Sequence, residues 1–69
     1  MPEYYVNRNP QSNGDHEVHR ADNCPVPAAI INRHYLGWYI SCHGAVAEAR
    51  RQGFRANGCY FCSRECHTG

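Results

Sequence analysis

Cys59-Tyr60-Phe61-Cys62-Ser63-Arg64-Glu65-Cys66-His67 is the stretch on which the reading of this chain turns. Its first four residues form a C-x2-C pair. Two thiols at this spacing sit on one tight turn and offer half of a tetrahedral metal site, most often for zinc. Two more donors must come from elsewhere, and the rest of the sequence is organised by that need.

The chain has 69 residues and is expected to form a single zinc-binding domain over residues 1–69. A domain of this length buries only roughly 60% of the surface its unfolded chain exposes, and it needs help from a metal, disulfides or a partner. Large aliphatic residues are few: Val6, Val18, Val26, Ile30, Ile31, Leu36, Ile40 and Val46. With the aromatic residues they predict a thin core, and Trp38 and the tyrosines are assigned to it or to its polar rim. Mean hydropathy is -0.71.

The formal net charge is +1 and the isoelectric point about 7.7. That is not the strongly basic balance of a typical nucleic-acid binder. No stretch is long and apolar enough to span a membrane. Met1-Pro2-Glu3-Tyr4-Tyr5 lacks the basic and apolar regions of a signal peptide, so a reducing, cytoplasmic setting is expected. Five cysteines are an odd number, which disfavours a complete disulfide framework. In such a compartment clustered Cys and His more often bind metal than bridge.

Upstream of the C-x2-C pair the elements follow from local chemistry. Tyr4-Tyr5-Val6-Asn7 has strand composition. Asn9 to Gly14 is turn chemistry, with Asn13-Gly14 suited to a hairpin. Asp15-His16-Glu17-Val18-His19 then returns as the second strand. With a period of two, His16 and Val18 share one face, and Glu17 and His19 the other, so the two histidines do not point at one metal. Pro25 and Pro27 end any helix near Cys24. Ala28 to His34 is a short irregular or helical passage. Tyr35 to Ile40 reads as a third strand, weakened by Gly37. Ser41 is an N-cap for a helix over Cys42–Gln52, which Gly53 stops. On it Cys42, Ala45, Val46 and Ala49 form an apolar face. Ala56-Asn57-Gly58 is a turn into Cys59. The fold class is therefore a small zinc-stabilised α+β domain: an N-terminal β-hairpin, a short third strand, one main helix and a C-terminal C-x2-C knuckle.

The first metal ligands are Cys59 and Cys62, followed by Cys24, which lies on a polar loop after the hairpin. For the fourth ligand His19 ranks first, at a strand end five residues before Cys24. Cys66 ranks next, then His67. Cys42 belongs to the core, and His16, His34 and His43 to the surface. A second site from His16, Cys42, Cys66 and His67 is not favoured. One structural zinc is the expected cofactor.

In order along the chain, His19…Cys24, a helix holding Ala45 and Ala49, Gly53-Phe54 and Cys59-x-x-Cys62 resemble the Ada-type zinc-binding domain. That domain is the N-terminal module of a bacterial repair protein for methylated DNA. The likeness covers about residues 15–62. His19 and Cys24 have four residues between them where the family has three, and Gly58 stands where it commonly has proline. Gly14-Asp15-His16-Glu17-Val18-His19, Asn57-Gly58-Cys59 and Cys66-His67-Thr68 also resemble a small set of uncharacterised bacterial Cys/His-rich proteins. The resemblance implies a zinc held by Cys24, Cys59, Cys62 and the residue at position 19. In the repair protein that first-loop ligand is a cysteine which accepts the methyl group. His19 is no such nucleophile, so methyl transfer does not carry over, while an association with DNA stays implied.

Four protein ligands leave no open position for water, which is the mark of structural zinc. There is no Ser-His-Asp pattern, phosphate loop or spaced carboxylate pair, and no enzymatic activity is expected. The functional expectation is a structural-zinc module that binds an unknown protein partner. The alternatives are a nucleic-acid-binding module using Arg20, Arg33, Arg50, Arg51, Arg55 and Arg64, and a thiol-redox or metal-sensing protein using Cys42 or Cys66.

Overall fold

Tyr4 and Val6 point one way from the first strand and Tyr5 the other, and this alternation divides the molecule. In the computed structural model, which describes residues 1–68, strand β1 (Glu3–Asn7) pairs antiparallel with β2 (His16–Arg20) and with β3 (Arg33–Trp38). A short β4 (Ala56–Gly58) pairs parallel to β2, giving a sheet of order β3-β1-β2-β4. Helix α1 (Cys42–Arg51) lies against one face. This is a small α+β fold with a four-stranded sheet and one helix among the described residues. The expected hairpin, third strand and helix are all present, with ends shifted by one or two residues.

Each element has a local cause. Between β1 and β2 the Gly14 amide donates to the Gln11 carbonyl, and Asn13 Oδ1 accepts from the Asp15 amide, a turn closed by an Asx side chain. The Ser41 hydroxyl accepts from the His43 amide and caps α1. At the other end Gly53 N–H donates to Arg50 O and Phe54 N–H to Ala49 O, the paired bonds of a Schellman motif. Ala28 to His34 resolves into a 3-10 turn (Ile30–Asn32) that runs into β3.

Gly37 does not weaken β3 as its type suggested. The β1–β3 register shifts between Tyr4 and Tyr5, so that Tyr4 faces Gly37 and Tyr5 faces Tyr35, with Leu36 the extra residue. Gly37 has φ +109°, a conformation that this bulge needs and side chains resist.

The core on the helix side comprises Tyr4, Val6, Val18, Cys42, Ala45, Val46, Ala49, Ala56 and Cys66, with Leu36, Tyr39 and Phe54 packed around it. The apolar stripe expected on α1 is the buried one. Complete burial of a valine such as Val18 contributes roughly 1.5–3 kcal/mol. The expected core was too generous, however. Ile30, Ile31 and Ile40 are 78%, 82% and 85% exposed, and Trp38 is 62% exposed. β3 is the edge strand of the sheet and the 3-10 turn runs into it, and the core is left to valines, alanines, cysteines and Tyr4.

One cysteine assignment is corrected and another holds with an addition, since Cys42 lies in the core as expected. Cys42 and Cys66 form a disulfide, which removes Cys66 from the possible metal ligands and makes Cys42 a bridged core residue. The odd count resolves into one bridge and three free cysteines, Cys24, Cys59 and Cys62. Ala56–Gly58, expected as a turn, is the fourth strand. The C-terminal segment is tied down: Asn57 Oδ1 accepts from the Thr68 amide and Asn57 Nδ2 donates to Thr68 O. Gly58 makes this possible, since a Cβ there would lie 2.5 Å from Ser63 O and 2.6 Å from Cys66 Cβ.

Among the described residues no helix is long and apolar enough to cross a membrane.

Candidate metal centre

On the face of the sheet away from α1, β1 contributes Tyr5 and β2 contributes His19, directly opposite one another in the antiparallel register. Their rings stack at 5.2 Å, and the Arg33 guanidinium lies over Tyr5 at 4.7 Å. The phenol of Tyr5 accepts from the Ala28 amide, which draws the 21–29 loop over this face. That loop carries Cys24, and its start is braced by the Arg20–Asp22 ion pair. From the opposite direction, Cys59 N–H donates to Val18 O at 3.0 Å. The chain leaving β4 is thereby held against the end of β2. Ser63 N–H donates to Cys59 O, closing the turn that brings Cys62 round.

The result is that His19, Cys24, Cys59 and Cys62 meet, with one donor atom from each lying within 4.8 Å of all the others. Cys24 Sγ is 3.7 Å from Cys59 Sγ, and His19 Nδ1 is 3.3 Å from Cys24 Sγ and 3.7 Å from Cys62 Sγ. Zinc–sulfur bonds of about 2.3 Å meeting at a tetrahedral angle set sulfurs roughly 3.8 Å apart, and a nitrogen donor slightly closer. These four groups are close enough to hold a metal ion, and their spacing matches a tetrahedral one. Nδ1 is the inward nitrogen. The outward Nε2 is buried without a hydrogen-bond partner and lies 3.6 Å from Glu17 Oε1. A metal on Nδ1 leaves the proton on Nε2, and a carboxylate beyond that proton is the usual support of a ligating histidine.

The electrostatics point the same way. Burial, with the Arg33 charge nearby, lowers His19 from 6.5 to about 4, so the imidazole is neutral and free to donate a lone pair at pH 7. Burial and contact with Cys24 push the Cys62 thiol up to about 12, against the Arg20 amide, which donates to Cys62 Sγ at 3.3 Å. Burial also raises Cys59, against the Cys62 and Phe61 amides. Thiols held this high are poor nucleophiles and ionise when a cation arrives. The backbone amides aimed at the sulfurs then serve thiolates.

His67 is not part of this cluster: its Nδ1 is 3.0 Å from Gly58 O. His16 and His34 flank Phe54, and His16 Nδ1 lies 2.8 Å from Asn7 O. Two supporting residues went unassigned at the sequence level. The signal for Glu17 was its place two residues before His19 on the same strand face. Tyr5 had no local signal, because its role comes from the cross-strand register.

No family model matches the chain, and comparison with curated proteins and with solved structures finds none that matches. The likeness to the Ada-type domain therefore rests on the residue pattern alone.

Proposed function

We propose that this chain is a structural-zinc module whose role is to bind a partner. One Zn2+ is held by His19 Nδ1 and the thiolates of Cys24, Cys59 and Cys62, with Glu17 orienting the histidine. The observation that carries this reading is the convergence of one nitrogen and three sulfurs, from β2, the 21–29 loop and the 59–62 knuckle, within 4.8 Å of one another. The likeness to the Ada-type domain supports the same four residues. Zinc suits three thiolates and an imidazole better than hard cations do, and four protein ligands close the site to substrate. The module is accordingly non-catalytic. Binding free energy at such a site is folding free energy, which suits a core of only nine buried residues among those described, most of them small.

A partner-binding role is favoured by the large apolar side chains left exposed, with Phe61 joining Ile30, Ile31, Trp38 and Ile40. A nucleic-acid role has less support. Arg20, Arg51 and Arg55 pair with Asp22, Glu48 and Asp15, and a net charge of +1 is not the strongly basic balance that binding to phosphates favours. A cytoplasmic setting fits the three free cysteines; there the Cys42–Cys66 pair would also meet reducing agents.

Native mass spectrometry of the purified protein, beside its denatured mass, tests the reading. The expected result is one zinc that His19→Ala, Cys24→Ser or Cys59→Ser removes and His67→Ala keeps. A folded protein that takes no zinc, or keeps it after Cys59→Ser, would overturn it.

A further inference from the structure

A second group of metal-binding donors lies on the opposite side of the sheet, and it is masked by a covalent bond. Cys42 and His43 open helix α1, while Glu65 and Cys66 belong to the 3-10 turn Arg64–Cys66 that packs on it. The sulfurs of Cys42 and Cys66 and a ring nitrogen of His43 all lie within 4.8 Å of one another. Glu65 Oε1 is 3.6 Å from Cys42 Sγ. Two sulfurs, an imidazole and a carboxylate are the donors of a thiolate-rich site, yet while the sulfurs are bonded to each other neither is a metal ligand.

We propose that reduction of the Cys42–Cys66 bridge creates a second metal site, formed by both thiolates and His43 with Glu65 as the fourth donor, for a thiophilic divalent cation such as Zn2+. Access favours attack at Cys66. A cleft of about 240 Å³ is walled in part by His43, Glu65 and Cys66, whereas Cys42 is sealed in the core. A dithiol reductant attacks Cys66 Sγ as its thiolate, the Cys66–Cys42 sulfur bond breaks, and Cys42 leaves as a thiolate. The reductant's second thiol then displaces Cys66 and closes the reductant's own disulfide. The bridge has gained two electrons and two protons, and the reductant has lost them. The amide end of α1 stabilises the Cys42 thiolate. An incoming cation releases the two thiol protons to solvent, and the cleft gives the sulfurs room to part to ligand spacing.

This inference does not depend on the zinc site proposed above, because its readout is a difference between two redox states. The zinc-exposed protein is weighed by native mass spectrometry with the bridge intact, and again after a phosphine reductant and a small excess of Zn2+. The expected result is a gain of one zinc on reduction. His43→Ala, at an exposed position, is expected to weaken that gain at least tenfold and leave the zinc count of the bridged protein unchanged. Cys42→Ala/Cys66→Ala should show no gain. The inference is overturned if reduction adds no zinc, if the bridged protein already holds the extra ion, or if the gain persists undiminished in His43→Ala. A bridged protein without zinc that gains one on reduction would sink the first site and leave this one standing.

Discussion

The two faces of the sheet solve the same problem with different materials. On the helix side Tyr4, Val6, Val18 and Ala56 meet the alanine-rich stripe of α1, and the Cys42–Cys66 bridge ties that layer to the C-terminal turn. On the other side, among the described residues, no α-helix lies over the sheet. Tyr5 and His19 are buried beneath a loop, and the groups that meet there are donors close enough to hold a metal ion. A single strand supplies both faces: Val18 goes to hydrocarbon and His19 to the sulfurs. Where a small chain lacks the apolar residues for a second layer, a polar cluster around one ion can take its place.

That contrast can be broken first on the polar face. Cys59→Ser should abolish both zinc binding and cooperative unfolding. Structural zinc in such small domains contributes about 10–16 kcal/mol of apparent binding energy, as much as the whole stability of a typical domain. Chelator treatment followed by thermal melts checks it, and a sharp transition in the variant would refute the polar-face account. On the helix side, Cys42→Ala/Cys66→Ala should cost about 3 kcal/mol, the loop-closure value for a separation of 24 residues. Denaturant midpoints measure this, and the transition should stay cooperative.

Acid distinguishes the faces again. The unfolded chain protonates His19 near 6.5 and the folded one only near 4. The unfolded state therefore binds more protons in that window, and stability falls as pH drops through it, by up to about 3 kcal/mol. In the zinc-loaded protein protons also compete with the ion for His19, so the loss should continue below pH 4 as the ion leaves. Urea titrations of the zinc-loaded protein at a series of pH values between 6.5 and 4 measure the slope, and a flat profile would refute it. Gly58→Ala tests the seam between the faces. The new Cβ would meet backbone and Cys66, which predicts a loss of roughly 1–3 kcal/mol and faster hydrogen exchange at Thr68. The smallest effect belongs to neither face. Glu48 is held near 2 by Arg51 and Gln52 on the outside of α1. Its contribution is present above pH 4.5 and is lost as pH falls towards 2. Glu48→Gln should barely move the melting temperature at pH 7 and should narrow the difference between pH 7 and pH 3.

The parts of this architecture written in neighbouring residues were legible in the sequence. Asn13-Gly14 marks the hairpin, Ser41 and Gly53 bound the helix, and the period of two separates His16 from His19. The C-x2-C spacing nominated Cys59 and Cys62, the polar loop nominated Cys24, and the strand end put His19 ahead of Cys66 and His67; these four first choices are the ones that meet. What stayed hidden depends on distant partners. Ala56-Asn57-Gly58 has the composition of a turn, and becomes a strand because β2 offers it an open edge. Cys42 carries no local mark of its bond to Cys66. Nothing in Ile30-Ile31 says that the layer meant to cover them ends short.

The parallel pairing of β4 on β2 also sets an order of assembly. Tyr5 and His19 can meet as soon as the hairpin closes, but Val18 must wait for Gly58, forty positions later in the chain. Contacts of such long range form slowly, and a growing chain makes them last. Cys59 and Cys62 follow directly on that strand. The hairpin and the helix can thus form while the polar face is still open, and that face closes only when β4 docks on β2 and brings Cys59 and Cys62 to His19.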